Sequence, residues 1–237
     1  MKPEYITRTA ALLGETSVER LAASSVFIAG LGGVGGYVLE GLARSGVEEF
    51  FLCDADTVSE SNLNRQILAT VDTVGRSKVD VAIERLHAIN PDARAHKYEL
   101  FLTPENVGEI LREARPDYVV DAIDTVSAKL ELAAVCRELG IPLVSSMGTG
   151  NKLDPTRLTV TDISKTHTCP LARVMRRELK ARGISHLDVL FSDEAPASAS
   201  FDEHGRHAPA SAVFVPACAG LVIASHVVKC LTEEKEK

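Results

Sequence analysis

Short apolar runs alternate with helical patterns through the first two thirds of the chain. Each run ends at a glycine or a polar residue, and the four runs cover residues 26–29, 50–53, 118–120 and 141–144. Apolar side chains recur at helical spacing between them, at residues 34–42, 78–89, 104–113 and 128–139. Strands that are apolar on both faces and alternate with helices are typical of a parallel sheet covered on both sides. We therefore predict an α/β fold with a doubly wound, mostly parallel sheet.

The pattern changes after residue 150. Residues 152–163 alternate between apolar and polar side chains, as in an exposed or antiparallel strand. The whole chain has 237 residues, a length that suits one sizeable domain. We predict a single domain over 1–237, with a core at 1–163 and an appended strand and helix region at 164–237.

Charge and cysteine content exclude several classes of protein. The chain has 26 Lys and Arg against 33 Asp and Glu, a net charge of −7, which argues against a general nucleic-acid coat protein. Its five cysteines include no C-x-x-C pair, which disfavours a disulfide framework and a four-thiolate zinc site. Without such pairs we expect no zinc. The first four residues lack the apolar run of a signal peptide, so we expect a cytoplasmic location.

One segment near the C-terminus has the composition of a membrane span. Residues 208–228 contain no Lys, Arg, Asp or Glu, and the segment is roughly as long as a bilayer-crossing helix. Pro209 and Pro216 interrupt its first half, which leaves 217–231 as a shorter apolar helix. We predict a buried core helix, with membrane association as the less favoured alternative.

A glycine-rich loop follows the first apolar run directly. The sequence from Gly30 to Gly35 fits G-x-G-x-x-G at the point where a strand ends and a helix begins, and Asp54 ends the next strand. Such a loop lets backbone N–H groups approach a phosphate at a helix N-terminus, while the acid can hold ribose hydroxyls. The pattern indicates a nucleotide without saying which one. The candidate glycines are Gly30, Gly32, Gly33 and Gly35.

Three charged residues favour ATP over a nicotinamide cofactor. Arg65 follows the second strand, Lys78 begins a helix, and Asp124 follows a later strand at the same edge of the predicted sheet. Paired cations neutralise a triphosphate, and one carboxylate with phosphate oxygens is a usual Mg²⁺ site. Taken singly, each cation could be an ordinary surface residue. Their combination leaves a nicotinamide-dependent redox protein or a silent nucleotide-binding scaffold as the least favoured hypothesis.

Five motifs in a fixed order carry a resemblance to a known family. They lie at residues 30–35, 54–56, 61–66, 75–78 and 121–124. In this order the chain resembles the ubiquitin-activating-type adenylyltransferases, which include the activators of sulfur-carrier proteins. The resemblance implies a Rossmann-like fold and an enzyme that joins a substrate carboxylate to the α-phosphate of ATP, releasing pyrophosphate.

The resemblance also implies roles for single residues. Gly32 is expected against the phosphates, Asp54 on the ribose, and Lys78 beside the α-phosphate. Asp124 is expected to carry Mg²⁺. The family is dimeric, and Arg8 matches an arginine that reaches the ATP of the partner subunit. The further expected ATP contacts are Asp56, Ser61, Asn62, Asn64, Arg65 and Thr125.

The C-terminal third departs from the sulfur-carrier activators, which usually bind zinc through two C-x-x-C pairs. It resembles instead a tRNA-modifying subfamily, the tRNA threonylcarbamoyladenosine dehydratases, at 154–156, 160–162, 165–166, 170–172, 191–194 and Cys218. That resemblance implies ATP-dependent cyclisation of the modified adenosine in the anticodon loop, with 164–237 serving substrate and dimer contacts. Activation of a ubiquitin-like sulfur carrier remains the alternative.

Two further features have two possible interpretations each. Arg173, Arg176, Arg177 and Lys180 fall on one face of a predicted helix, where they could follow tRNA phosphates or form an ordinary solvated surface. Cys218, placed ahead of the last apolar helix, could be a reactive thiol or a small buried residue. A reactive thiol would fit a sulfur-acceptor or cysteine-desulfurase partner.

Overall fold

The computed structural model describes residues 4–197 and 210–233. Its described helices are α1 (Thr7–Leu13), α2 (Glu15–Ala22), α3 (Gly35–Ser45), α4 (Lys78–Ile89), α5 (Val107–Ala114), α6 (Val126–Leu139), α7 (Pro170–Ala181) and α8 (Phe214–Thr232). Its described strands are β1 (Ser25–Ala29), β2 (Glu49–Cys53), β3 (Arg94–Tyr98), β4 (Tyr118–Asp121), β5 (Leu143–Ser146), β6 (Leu158–Asp162) and β7 (Asp188–Ser192).

The described strands form one sheet in the order β3-β2-β1-β4-β5-β7-β6. All neighbouring pairs are parallel except β6 with β7, which are antiparallel. The doubly wound, mostly parallel sheet predicted from the sequence is therefore confirmed. Strand β7 comes from the C-terminal region and lies between β5 and β6, so the two predicted regions share one sheet.

Helices cover both faces of the sheet. Helices α2, α3, α4 and α8 bury their apolar sides on one face, around Ile28, Leu39 and Ile223. Helices α5, α6 and α7 cover the other face, around Phe27, Leu132 and Met175. Because β1, β2 and β4 are buried on both faces, their loops at the carboxyl edge start from fixed positions.

Helix α8 differs from the prediction at its start. It begins at Phe214, so Pro216 lies in its first turn, where a missing N–H removes no helical hydrogen bond. Pro216 therefore does not break the segment, while Pro209 lies outside the described residues. By length and composition, α8 is the one described helix that could cross a membrane. Its inward side packs on α3, with Ala219 and Ile223 fully buried.

Candidate active site

A cavity of about 480 Å³ opens at the carboxyl ends of β1, β2 and β4. Strand β1 stands between the other two, so the connections from it and from β4 run to opposite sides of the sheet. This reversal point is where open α/β sheets bind their ligands. The loop from β1 to α3 and the loop after β4 supply two of the walls, with Gly32 and Asp124 among the lining residues.

The glycine-rich loop is closely packed against the loop after β4. Gly30 has a φ of +89°, and a Cβ there would lie 2.8 Å from the carbonyl oxygen of Ala122. A Cβ on Gly35 would lie 1.8 Å from the carbonyl oxygen of Gly30. Gly30 and Gly32 line the cavity, whereas Gly33 lines a neighbouring cavity and Gly35 is buried at the start of α3. The glycines thus hold the loop close to the N-terminus of α3.

Asp54 and Lys78 stabilise the floor of this cavity. The Asp54 carboxylate accepts hydrogen bonds from the backbone N–H of Leu31 at 2.7 Å and of Asp56 at 2.9 Å. The buried Lys78 ammonium donates to the Asp56 carboxylate at 2.7 Å and lies 3.9 Å from that of Asp54. Asp54 therefore fixes the phosphate loop as well as lining the site expected for the ribose. Lys78 is a pre-positioned cation.

Segment 59–66 presents Asn62, Arg65 and Gln66 to the cavity. The Arg65 guanidinium donates to the Ser61 carbonyl at 2.7 Å and to the Asn64 side-chain oxygen at 2.9 Å. Ser61 and Asn64 were expected to contact ATP, but neither lines the cavity in the described structure. Both hold the Arg65 guanidinium in position, and their contact with ATP stays a prediction.

Gln66 and Asn62 are the buried polar residues of the same segment. The Asn62 side-chain oxygen accepts the backbone N–H of Ser59 at 3.1 Å, which leaves its amide NH₂ as a donor. The Gln66 side-chain oxygen is buried without a hydrogen-bond partner among the described residues. Gln66 ends the predicted 61–66 motif but was given no role of its own, because an uncharged amide in a turn does not show from sequence whether it faces a ligand.

The two aspartates after β4 have different surroundings. Asp121 is fully buried, 3.0 Å from the Lys129 ammonium, and accepts a hydrogen bond from the Ser145 hydroxyl at 2.6 Å. Asp124 is exposed and lines the cavity together with Thr125, whose hydroxyl donates to it only a long hydrogen bond of 3.4 Å. Asp124 is therefore the carboxylate that can face a ligand.

The donor set at Asp124 fits a magnesium ion shared with phosphates. No group of three or more His, Cys, Asp or Glu residues could hold a metal within 4–197 and 210–233. Mg²⁺ commonly takes one or two protein carboxylates and completes its octahedron with water and phosphate oxygens. A single exposed carboxylate beside a phosphate loop meets that requirement. The expected lack of zinc remains a prediction.

The Cys53 thiol lies at the cavity but is not poised for covalent chemistry. Burial, with a contribution from the Asp54 carboxylate, raises the pKa of Cys53 to about 12. A thiol with such a pKa stays protonated at neutral pH and is a weak nucleophile. The reaction expected at this site is therefore a transfer between bound molecules, assisted by charge and position.

A second cavity of about 580 Å³ adjoins the first. The two share four lining residues: Arg65, Ala122, Ile123 and Asp124. The remaining walls come from residues 146–152, from the start of α7 and from the first turn of α8. The cavity includes Lys152, a buried cation absent from the predicted site. The C-terminal region thus completes a second cavity beside the first. We call the first the nucleotide cavity and the second the acceptor cavity, after the ATP and the carboxylate substrate expected in them.

The predicted basic residues lie on α7 as expected, but one of them, Arg176, is bound to a neighbouring loop and does not face solvent. Arg173, Arg177 and Lys180 are exposed, and Arg177 pairs with Glu178 at 2.6 Å. Arg176 is half-buried and donates to the carbonyl and hydroxyl oxygens of Thr166, at 2.7 and 2.8 Å. Arg176 therefore anchors the helix, which leaves three cations facing solvent.

Arg8 and Cys218 lie outside both cavities. Arg8 is exposed on α1 and lines neither cavity of its own chain. Cys218 lies within the first turns of α8, not ahead of the helix as predicted, and is half-buried. The earlier helix start at Phe214 accounts for the difference.

Comparison with known proteins identifies close relatives. The ThiF family profile matches residues 6–237. A tRNA threonylcarbamoyladenosine dehydratase of Bacillus subtilis is 40% identical over 97% of this chain and 95% of its own length. Crystal structures of the Escherichia coli dehydratase with AMP and with ATP superpose with TM-scores of 0.89 and 0.88, at 38% and 37% identity. They cover 96% of this chain and 94% and 93% of theirs.

A relative of the alternative class matches less of the chain. The sulfur carrier protein adenylyltransferase of Thermus thermophilus is 42% identical over 56% of this chain and 48% of its own length. The dehydratase similarity thus includes the residues that build the second cavity, since it extends over nearly the whole chain.

Proposed function

The chain belongs to the ThiF family, and we propose that it is an ATP-dependent tRNA threonylcarbamoyladenosine dehydratase. It adenylates the carboxylate of the modified adenosine in the anticodon loop, and the modification then closes to its cyclic form. The observation that carries this proposal is the dehydratase similarity over 97% of the chain, including the acceptor cavity beside the nucleotide cavity.

The chemistry consists of two displacements. A carboxylate oxygen attacks the α-phosphorus of ATP, an O–P bond forms, the bond to the β-phosphate oxygen breaks, and pyrophosphate leaves. A nucleophilic atom of the same modification then attacks the acyl carbon, and AMP leaves with the former carboxylate oxygen. The nucleoside has lost one water in total. No protein nucleophile is needed, in agreement with the protonated Cys53 thiol.

The chain's own residues neutralise and position the phosphates. Lys78 and Arg65 offset the negative charge of the triphosphate, and Asn62 offers an amide donor. Gly32 lets the backbone approach the phosphates, while Asp54 is placed for the ribose hydroxyls. Asp124 would hold Mg²⁺. When bound, this ion withdraws charge from the phosphates and makes the α-phosphorus a better electrophile.

We assign tRNA binding to the exposed side of α7. Arg173, Arg177 and Lys180 present positive charge on the same helix whose start borders the acceptor cavity. Phosphate contacts of this kind fix register without reading sequence. A local basic face also explains how a chain of net charge −7 could bind RNA in the cytoplasm.

A homodimer completes the proposed site. Arg8 and Leu12 lie four residues apart on one side of α1, and Leu12 is 83% exposed. A homodimer would cover this leucine and bring the neighbouring Arg8 to the interface. In this arrangement Arg8 reaches the ATP of the partner subunit.

The test measures ATP-dependent AMP release with three substrates in parallel. These are unmodified tRNA, tRNA that carries threonylcarbamoyladenosine, and a carrier protein ending in Gly-Gly. Release with the modified tRNA alone, together with loss of one water from its nucleoside by mass spectrometry, is the expected result. Pyrophosphate release with the carrier protein alone, which keeps its AMP as an acyl-adenylate, would instead assign the chain to the sulfur-carrier activators.

A further inference from the structure

Lys152 is a buried cation in the wall of the acceptor cavity. Its side chain is 4% exposed, and its ammonium donates to the carbonyl oxygens of Glu194 at 2.6 Å and of Ser192 at 3.4 Å. An ammonium has three N–H donors, so one donor remains after these two contacts. Within residues 4–197 and 210–233, no carboxylate forms an ion pair with it.

The loop that carries Lys152 is fixed on both sides. The Glu194 carboxylate accepts the backbone N–H groups of Leu153 at 2.9 Å and Asp154 at 3.0 Å. Asn151 has a left-handed backbone with φ +58°, and its N–H donates to the Ala210 carbonyl at 2.7 Å. The ammonium is therefore held in place before any ligand arrives, and its entropic cost of binding is low.

The electrostatics of Lys152 leave room for an anion. Burial, with a smaller contribution from the Arg157 cation, lowers the pKa of Lys152, and the neighbouring Cys169, Glu194 and Asp193 oppose this shift without cancelling it. A buried cation whose pKa stays lowered is under-compensated by its surroundings. An anionic ligand in the cavity would supply the missing charge.

We propose that Lys152 binds the carboxylate of the substrate residue and holds it in the acceptor cavity. The inference rests on the proposed function and adds the residue that recognises the reacting group. Two anions, the carboxylate and the triphosphate, must approach each other where the cavities meet at Arg65 and Asp124. One donor from Lys152 offsets the negative charge of the carboxylate and leaves its second oxygen to attack the phosphorus.

The test compares two anticodon stem-loop RNAs that differ at one group. One carries threonylcarbamoyladenosine, and the other carries its neutral carboxamide analogue. Dissociation constants are measured by fluorescence anisotropy with α,β-methylene ATP, which cannot release pyrophosphate. The wild-type protein is expected to bind the carboxylate at least roughly tenfold more tightly. Lys152→Met removes the charge and keeps a long unbranched side chain, so it is expected to bring the ratio to about one.

Two further variants separate recognition from loop structure. Glu194→Ala removes the carboxylate that fixes Leu153 and Asp154 but keeps the ammonium, so both RNAs should bind more weakly while the carboxylate RNA stays preferred over the carboxamide. Lys152→Gln retains a donor for the two carbonyls without the charge. It gives the same readout if circular dichroism shows that Lys152→Met is unfolded.

Each outcome bears on one of the two claims. A wild-type ratio near one, or an unchanged ratio in the Lys152 variants, overturns the role of Lys152 and leaves the cyclisation reaction intact. Absence of wild-type AMP release with the modified tRNA overturns the proposed function itself, whatever the binding ratio.

Discussion

Lys78 and Asp124 both line the nucleotide cavity, but their surroundings differ. Lys78 is buried against Asp56, whereas Asp124 is exposed at the junction of the two cavities. We expect Lys78→Met and Asp124→Asn each to lower the rate of AMP release at least ~100-fold, because each removes charge stabilisation of the phosphates. Thermal unfolding should show folded proteins in both cases.

A lysine that lies outside the cavity provides the control for this prediction. Lys97 is half-exposed on β3 and pairs with Asp80 and Glu99, each at 2.7 Å, away from the cavity. Lys97→Met should leave the rate near that of wild type. A rate near wild type for either cavity variant would remove that residue from the proposed mechanism.

The sequence predicted those site residues whose role depends on a local motif. Gly30, Gly32 and Lys78 follow from a loop or a helix start that can be recognised without knowledge of the fold. Lys152 could not be predicted in this way. Its burial results from β7 lying beside β5, which brings Glu194 onto the loop after β5. Contacts between residues 40 positions apart leave no periodic signal in the sequence.

At the scale of the elements, α3 and α8 approach each other closely at Gly220. A Cβ on Gly220 would lie 2.5 Å from the carbonyl oxygen of Val34 and 2.6 Å from the Cβ of Tyr37. We expect Gly220→Ala to lower the free energy of unfolding by about 1 to 3 kcal/mol, because backbone atoms cannot move aside as a side chain can. Urea unfolding measures the difference.

A second helical glycine provides the contrast. A Cβ on Gly108 in α5 would approach the end of the flexible Arg112 side chain, at 2.9 Å. Gly108→Ala should be neutral or stabilising by up to about 1 kcal/mol, since alanine is the better helix former. If both changes destabilised the protein equally, the close approach of α3 and α8 would not be the cause of the destabilisation by Gly220→Ala.

The contact between α3 and α4 should depend on pH. Burial alone would raise the pKa of Glu40, but hydrogen bonds from Arg85 and Arg44 outweigh it and lower the pKa. Because the pKa of Glu40 is lower in the folded state, its carboxylate stabilises the protein at pH values above the unfolded-state pKa of about 4.3. This stabilisation is lost as the pH falls through the folded-state pKa.

This dependence can be measured with one conservative variant. Glu40→Gln keeps the size of the side chain and removes its charge, so it should destabilise the protein by about 1 kcal/mol at pH 7. The difference from wild type should shrink as pH falls below about 4. A difference that stays constant between pH 7 and pH 3.5 would contradict the ionic origin.

Element boundaries were predictable where apolar periodicity sets them and not elsewhere. Strand β3 was missed because its sequence is polar, and its side chains are partly exposed at the edge of the sheet. The start of α8 was misplaced because Pro216 was interpreted as a break, although a proline in the first turn costs the helix nothing. Both errors depend on position in the fold, which a local pattern does not contain.

At the scale of the whole molecule, a local basic face must act against a net charge of −7. We expect a triple variant to bind tRNA more weakly; it replaces Arg173, Arg177 and Lys180 by glutamine. The slope of log K against log[salt] should become shallower by about two to three. Arg112→Gln with Arg115→Gln on the end of α5 serves as the control and should change neither quantity. An unchanged salt slope in the α7 variant would make that face an ordinary solvated surface.

The dimer proposal predicts that two inactive variants restore each other. Arg8→Ala removes the arginine that reaches the partner, and Lys78→Met removes the cation of the same chain's cavity. If Arg8 acts across the interface, a mixed dimer has one site with both wild-type residues and one with neither. Random assembly then gives roughly a quarter of wild-type activity, because half of the dimers are mixed and each has one intact site.

Action of Arg8 within its own chain predicts the opposite result. Every site in a mixed dimer would then lack one of the two residues, and co-expressed variants would stay as inactive as either alone. AMP release by the co-expressed, randomly assembled dimers therefore decides which subunit Arg8 serves. Arg8 lines neither cavity of its own chain, so its exposed position on α1 favours recovery. Without recovery, the nucleotide site is complete within one chain, and the exposed Leu12 face would need another explanation.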